Sequence, residues 1–189
     1  MQQFSGIKTV ITETGVLFAG YNQVLSLYSP LIANIAQLIA TCVSTCVLSR
    51  FGRKKPTLVG NIVLSVNNFI LAGLFLANVF NNSLSLIYAA FAFIIIFEII
   101  YALSIGPVVW PYVPEIIPAK YVSVASSMNW VASAISVIAT PYILDAVGSP
   151  YPVFFFFGGI LLVFFLINVK FLIETKGLTP TQIAKKLQK

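Results

Sequence analysis

The sequence predicts an all-α, polytopic membrane protein, and three observations carry that prediction. Of its 189 residues 59% are hydrophobic and only 8% charged, with no histidine at all. Mean hydropathy is +0.96, far beyond what a soluble domain of this size tolerates. The apolar residues also fall into six long stretches that fill almost the whole chain, and nearly all the Lys and Arg residues sit in the gaps at one end of them.

The stretches read as Phe4–Gly20, Ser29–Leu48, Thr57–Ala77, Leu84–Gly106, Tyr121–Leu144 and Val153–Ile173. Each is near the ~20 residues that cross ~30 Å of hydrocarbon as a helix. The first is the poorest, being short and carrying Lys8 and Glu13, and reads as a partial helix. It is not expected to be a signal peptide, because Met1-Gln2-Gln3 has no basic lead and no small-residue cleavage site follows.

With the spans alternating, Arg50, Arg53, Lys54, Lys55, Lys120, Lys170, Lys176, Lys185, Lys186 and Lys189 all lie on one side, ten of the eleven basic residues. The positive-inside bias makes that side, and with it the C-terminus, cytoplasmic. The opposite loops hold no basic residue. A net charge of +6 then reports topology and attraction to anionic lipid, and needs no nucleic acid to explain it. Residues 1–175 form the expected transmembrane domain and residues 176–189 a cytoplasmic basic tail; the membrane expected is the plasma membrane.

Cys42 and Cys46, four apart in the second span, share a helix face and read as small residues buried at a helix contact. Two thiols make only half a tetrahedral metal site.

Polar residues inside spans are costly in lipid and face a bundle interior or a cavity. Gln2, Gln3, Lys8, Gln37, Asn67, Asn68, Glu98 and Asn129 qualify. Hydrogen bonding between helices accounts for many such amides. Amides and indoles are equally what a site for a neutral polyhydroxyl solute needs, since an amide both donates and accepts while a ring face covers the C–H surface of a sugar.

The fourth span ends Ser104-Ile105-Gly106-Pro107-Val108-Val109-Trp110-Pro111-Tyr112-Val113-Pro114-Glu115. Three prolines within eight residues predict a broken helix, because each lacks an amide donor and crowds the preceding turn. A break at membrane depth is tolerated where it is covered by protein or lines a wet cavity, which puts Trp110 at a gate or site wall. A plain helix terminus with an interfacial Trp is the simpler alternative.

Six segments occur in a telling order: Gln2-Gln3-Phe4-Ser5-Gly6-Ile7, Arg50-Phe51-Gly52-Arg53-Lys54, Gly106-Pro107-Val108-Val109-Trp110, Pro114-Glu115-Ile116-Ile117-Pro118, Asn129-Trp130 and Glu174-Thr175-Lys176-Gly177-Leu178. Together they resemble the sugar porters of the major facilitator superfamily, which include the facilitative glucose transporters. The resemblance runs the length of the chain and corresponds to the C-terminal half of the twelve-helix fold, entered partway along the seventh helix.

The resemblance implies roles position by position. Gln2 and Gln3 match paired glutamines that bind hexose hydroxyls, and Trp110 matches the tryptophan beside the broken tenth helix. Gln37 falls where the family often has a sugar-binding Asn, and Asn129 with Trp130 matches the Asn-Trp pair near the sugar. Arg50, Arg53, Glu115 and Glu174 match a cytoplasmic charge network that latches the two halves in the outward-facing state. All four also fall on the side that the charge bias makes cytoplasmic, where exchange of ion pairs suits a latch.

The chain departs from the family pattern at several points. Lys8 stands at a sugar-binding Asn, Thr12-Glu13 at an aromatic pair, Ser49 at an acid, Val122 at an arginine and Ile173 at a proline. Glu98 lies three turns before Trp110, one turn farther than the family's acid, and the two positions do not correspond.

No phosphate loop, Ser/His/Asp set or carboxylate pair is present, so neither enzyme activity nor a cofactor is expected. The expected function is transmembrane transport of a hexose-like sugar by alternating access, as half of a twelve-helix carrier. The expected partners are a small sugar, the lipid bilayer and a second six-helix half. The alternative is a truncated or accessory membrane protein with no transport of its own.

Overall fold

A computed structural model describes residues 2–187; Met1 and Lys189, both cited above, lie outside it. A single 3-10 turn at Gln3–Ser5 leads into helices α1 (Ile7–Ala19), α2 (Gln23–Phe51), α3 (Lys54–Asn81), α4 (Leu84–Leu103), α5 (Ile105–Ile116), α6 (Ala119–Val147), α7 (Tyr151–Phe171) and α8 (Pro180–Leu187). Among the described residues five spans are long and apolar enough to cross a membrane, α4 and α5 counting together as one. The first predicted span is indeed partial, with 13 residues in α1.

The ends of these helices follow from local chemistry. Asn22 caps α2, its side chain accepting from the amides of Val24 and Leu25 at 2.9 and 3.1 Å. Asn82, at φ 45°, ends α3 in the left-handed conformation that Asn tolerates. Pro150 and Pro152 open α7, where a missing amide donor costs nothing.

Helices α3 and α7 form the most extensive pairing, and α4 packs against both α2 and α3. Lipid is as apolar as any core, so association rests on close packing and hydrogen bonds between helices rather than on escape from water. Phe75 and Phe154 stack at 5.6 Å between α3 and α7, and the Ser65 hydroxyl donates to the Gly158 carbonyl at 2.7 Å across the same contact. Asn67 donates to the Phe93 carbonyl at 3.2 Å and Asn68 to the Ser5 carbonyl at 3.1 Å. These two amides therefore join segments, the structural reading weighed above.

The cysteine reading is corrected: Cys42 and Cys46 are exposed. The face that α2 buries runs Ser29, Ala33, Ala40, Ser44, and a residue two positions along lies about 200° around the helix from that stripe. The tail after α7 is also more structured than a basic run suggests. Ile183 of α8 is buried, and α8 rests against α5.

Candidate functional site

The break in the fourth span falls at Ser104, with φ −124° and ψ −92°, six residues before Trp110. Pro107 is the reason: it has no amide to donate to the Leu103 carbonyl four residues back, and its ring crowds that carbonyl. The Ser104 hydroxyl donates to the Ile100 carbonyl at 2.5 Å, satisfying one of the groups left over. The span is broken, as the run of prolines predicts, while Pro111 and Pro114 themselves sit inside α5. Once the break redirects the chain, α5 is short enough to tolerate two missing bonds, and Trp110 sits within its regular part.

At the other end of the chain, Gly6 at φ 94° turns the 3-10 segment into α1. A side chain there would meet the Phe157 ring at 2.9 Å. The turn carries Gln2 and Gln3, and the Gln2 amide donates to the Gly106 carbonyl at 3.0 Å, joining it to the first turn of α5.

These two features face a common cavity of about 440 Å³, within the roughly 300–1,000 Å³ of small-molecule sites. Gln2, Gln3, Gln37, Trp110 and Trp130 all line it, from four separate elements, with Lys8, Thr41 and Tyr101. Neither α3 nor α7 contributes to the lining. The side-chain oxygens of Gln2 and Gln3 are buried and accept no hydrogen bond among the described residues. Trp110 and Trp130 are 53% and 58% exposed, so their ring faces are open. The Lys8 ammonium lies 5.8 Å from the centre of the Trp130 ring, a cation–π distance.

Asn129 is not brought to this cavity. It lines a separate groove of about 60 Å³ with Val113, Pro114 and Ser126, on the other side of Trp110. Adjacent residues on a helix point about 100° apart, and here Trp130 lines the cavity while Asn129 lines the groove. Thr41 and Tyr101 were missed in the sequence. Thr41 is one turn beyond Gln37, which was a usable signal; Tyr101 carried none.

The four predicted network residues come together in a second region, though not all through their side chains. The Arg53 guanidinium pairs with the Glu115 carboxylate at 2.7 Å, whose second oxygen accepts from the Thr175 hydroxyl at 2.6 Å. Glu174 accepts from the backbone amides of Arg53 at 2.9 Å, Lys54 at 3.0 Å, Thr175 at 3.0 Å and Lys176 at 3.0 Å. It thereby caps the N-terminus of α3 from the far end of the chain, where orphan amides and the helix dipole favour an anion. Burial pushes its carboxyl up, but the amides of Arg53, Lys176, Lys54 and Thr175 outweigh this and hold it below the ordinary value. Arg50 contributes its carbonyl, which accepts from the Lys176 ammonium at 2.9 Å, while its guanidinium lies 5.8 Å from the Phe51 ring.

Among the described residues no cluster of three or more His, Cys, Asp or Glu could hold a metal. A helical membrane domain with a broken span beside an amide- and indole-lined cavity has the build of a solute carrier of the major facilitator fold. The profile of the family described as "Sugar (and other) transporter" matches residues 1–187, and the chain belongs to that family. It is 31% identical over 188 residues to hexose transporter 1 of Plasmodium knowlesi, covering 94% of this chain and 36% of that protein. It is 28% identical over 192 residues to trehalose transporter 1 of Drosophila melanogaster, covering 98% of this chain and 22% of that protein. Among solved structures it resembles the major facilitator proton:xylose symporter XylE bound to 6-bromo-6-deoxy-D-glucose. The TM-score is 0.84 at 23% identity, over 98% of this chain and 40% of that one. Against the inward-open form of XylE from E. coli the TM-score is 0.65 at 18% identity, over 96% of this chain and 40% of that one. The chain thus spans well under half the length of these relatives.

Proposed function

We propose that this chain takes part in moving a hexose-like sugar across a membrane by alternating access, working with a second six-helix half. The observation that carries the reading is the convergence of three glutamines and two tryptophans, from four elements, on one cavity. Unpartnered amide oxygens suit sugar hydroxyl donors, and open indole faces suit the C–H surface of a pyranose. The relatives named above are transporters of hexose and of trehalose, and XylE is a xylose symporter. Under this reading residues 1–175 are the membrane domain and residues 176–189 a cytoplasmic basic tail that includes α8. Arg53, Glu115 and Glu174 act as part of a cytoplasmic latch, and the carrier works at the plasma membrane, as a transporter rather than an enzyme.

Rocking requires two bodies, so the complementary half supplies the facing wall of the cavity. Radiolabelled hexose uptake in transporter-deficient cells tests this, with the chain expressed alone and together with the N-terminal half of a sugar porter. Uptake is expected only when both are present. Normal membrane insertion of both halves with no uptake above the N-terminal half alone would overturn the reading in favour of a non-transporting membrane protein.

A further inference from the structure

The cavity contains one formal charge. Gln2, Gln3, Gln37, Thr41 and Tyr101 are neutral, and none of the chain's five acidic residues is among its lining. Glu115 and Glu174 are engaged in the network around Arg53. Among the described residues Lys8 makes no ion pair; the contact recorded for its ammonium is the Trp130 ring. A ring face offsets only part of the hydration that a cation gives up in a membrane cavity, whereas a carboxylate offsets far more.

Resting on the sugar-binding reading above, we infer that the preferred solute is a sugar acid carrying one carboxylate, such as a hexuronate, with Lys8 as the residue that receives that carboxylate. The parts of the site divide the ligand between them. Lys8 meets the anion, the amide oxygens of Gln2 and Gln3 accept from ring hydroxyls, and Trp110 and Trp130 cover the C–H faces. A single ammonium balances a single charge. A phosphate ester, carrying nearly two charges and three acceptor oxygens, calls for several donors or an arginine fork, and the cavity lining includes no arginine.

The test titrates the chain, reconstituted in nanodiscs together with the N-terminal half of a sugar porter, with D-glucuronate, its neutral methyl ester, D-glucose and glucose 6-phosphate, following tryptophan fluorescence. The expected result is glucuronate binding about tenfold or more tighter than either neutral sugar, the scale of one charge-assisted hydrogen bond. Lys8→Asn should abolish that preference, while Lys8→Arg keeps it. Circular dichroism and size exclusion establish that each variant is folded. Neutral sugars binding as tightly as glucuronate, or glucose 6-phosphate binding best, would overturn the inference while leaving the sugar cavity standing. If the folded protein binds none of the four, the sugar-binding reading falls and the inference falls with it.

Discussion

Arg53 holds two carboxylates at once: its guanidinium lies 2.7 Å from Glu115, and its own backbone amide donates to Glu174 at 2.9 Å. One residue at the entry to α3 thus ties the end of α5 to the segment after α7. The motif is built so that the three segments meet. Gly52 turns the chain at φ 80°, a region that strongly favours glycine, and a β-carbon there would come within 2.6 Å of the Glu174 carboxyl.

The Arg53–Glu115 pair is partly sheltered, with side chains 21% and 29% exposed. Arg53→Ala and Glu115→Ala are each expected to cost about 1 kcal/mol, toward the upper end for pairs that still touch solvent. A double-mutant cycle on thermal unfolding in detergent should return a coupling of about 0.5–1 kcal/mol. Strict additivity of the two effects would show that the contact contributes nothing.

Glu174 makes stability depend on acid. Its carboxyl is held below the ordinary value of 4.5 in the folded chain, so the folded state binds its proton less readily than the unfolded state does. The stabilisation is fully present above that value and is lost as pH falls through the lower folded one. Glu174→Gln should lower Tm at neutral pH and flatten the fall in Tm below 4.5. Parallel curves for the parent and the variant would remove Glu174 as the source.

Gly52→Ala forces a side chain into a left-handed backbone position and against the Glu174 carboxyl. A penalty of about 1–2 kcal/mol for the backbone alone is expected, with more from displacing the cap on α3. If unfolding midpoints of Gly52→Ala and the parent coincide, the turn relaxes freely and the close approach has no energetic weight.

For the cavity, Gln3→Ala should weaken sugar binding by about 1–3 kcal/mol, the cost of one lost buried hydrogen bond, and Trp110→Ala should weaken it as well. Asn129→Ala should have little effect, because Asn129 lines the groove on the far side of Trp110. Tryptophan quenching on titration with the best-bound sugar reads all three. An Asn129→Ala effect as large as that of Gln3→Ala would mean that the two grooves act as one site.

What the sequence determined by itself was whatever depends on composition and period. Long apolar runs cross a membrane because every backbone polar group must be satisfied internally, so the five spans and the short first helix were legible. Three prolines within eight residues announced a break in the fourth span, and the order of short motifs announced the family. The tertiary structure decided which faces meet. Asn129 and Trp130 are neighbours in the chain but line different grooves, and Cys42 and Cys46 share a face that α2 leaves exposed. The exact residue of the break, Ser104, was also settled only in the structure. Lys8 finds Trp130 and Glu174 finds the amides at the start of α3, contacts between residues more than a hundred positions apart. Local pattern specifies helices through their own hydrogen bonds. It does not specify the angle at which one helix presents a side chain to another, which is set by packing among all of them.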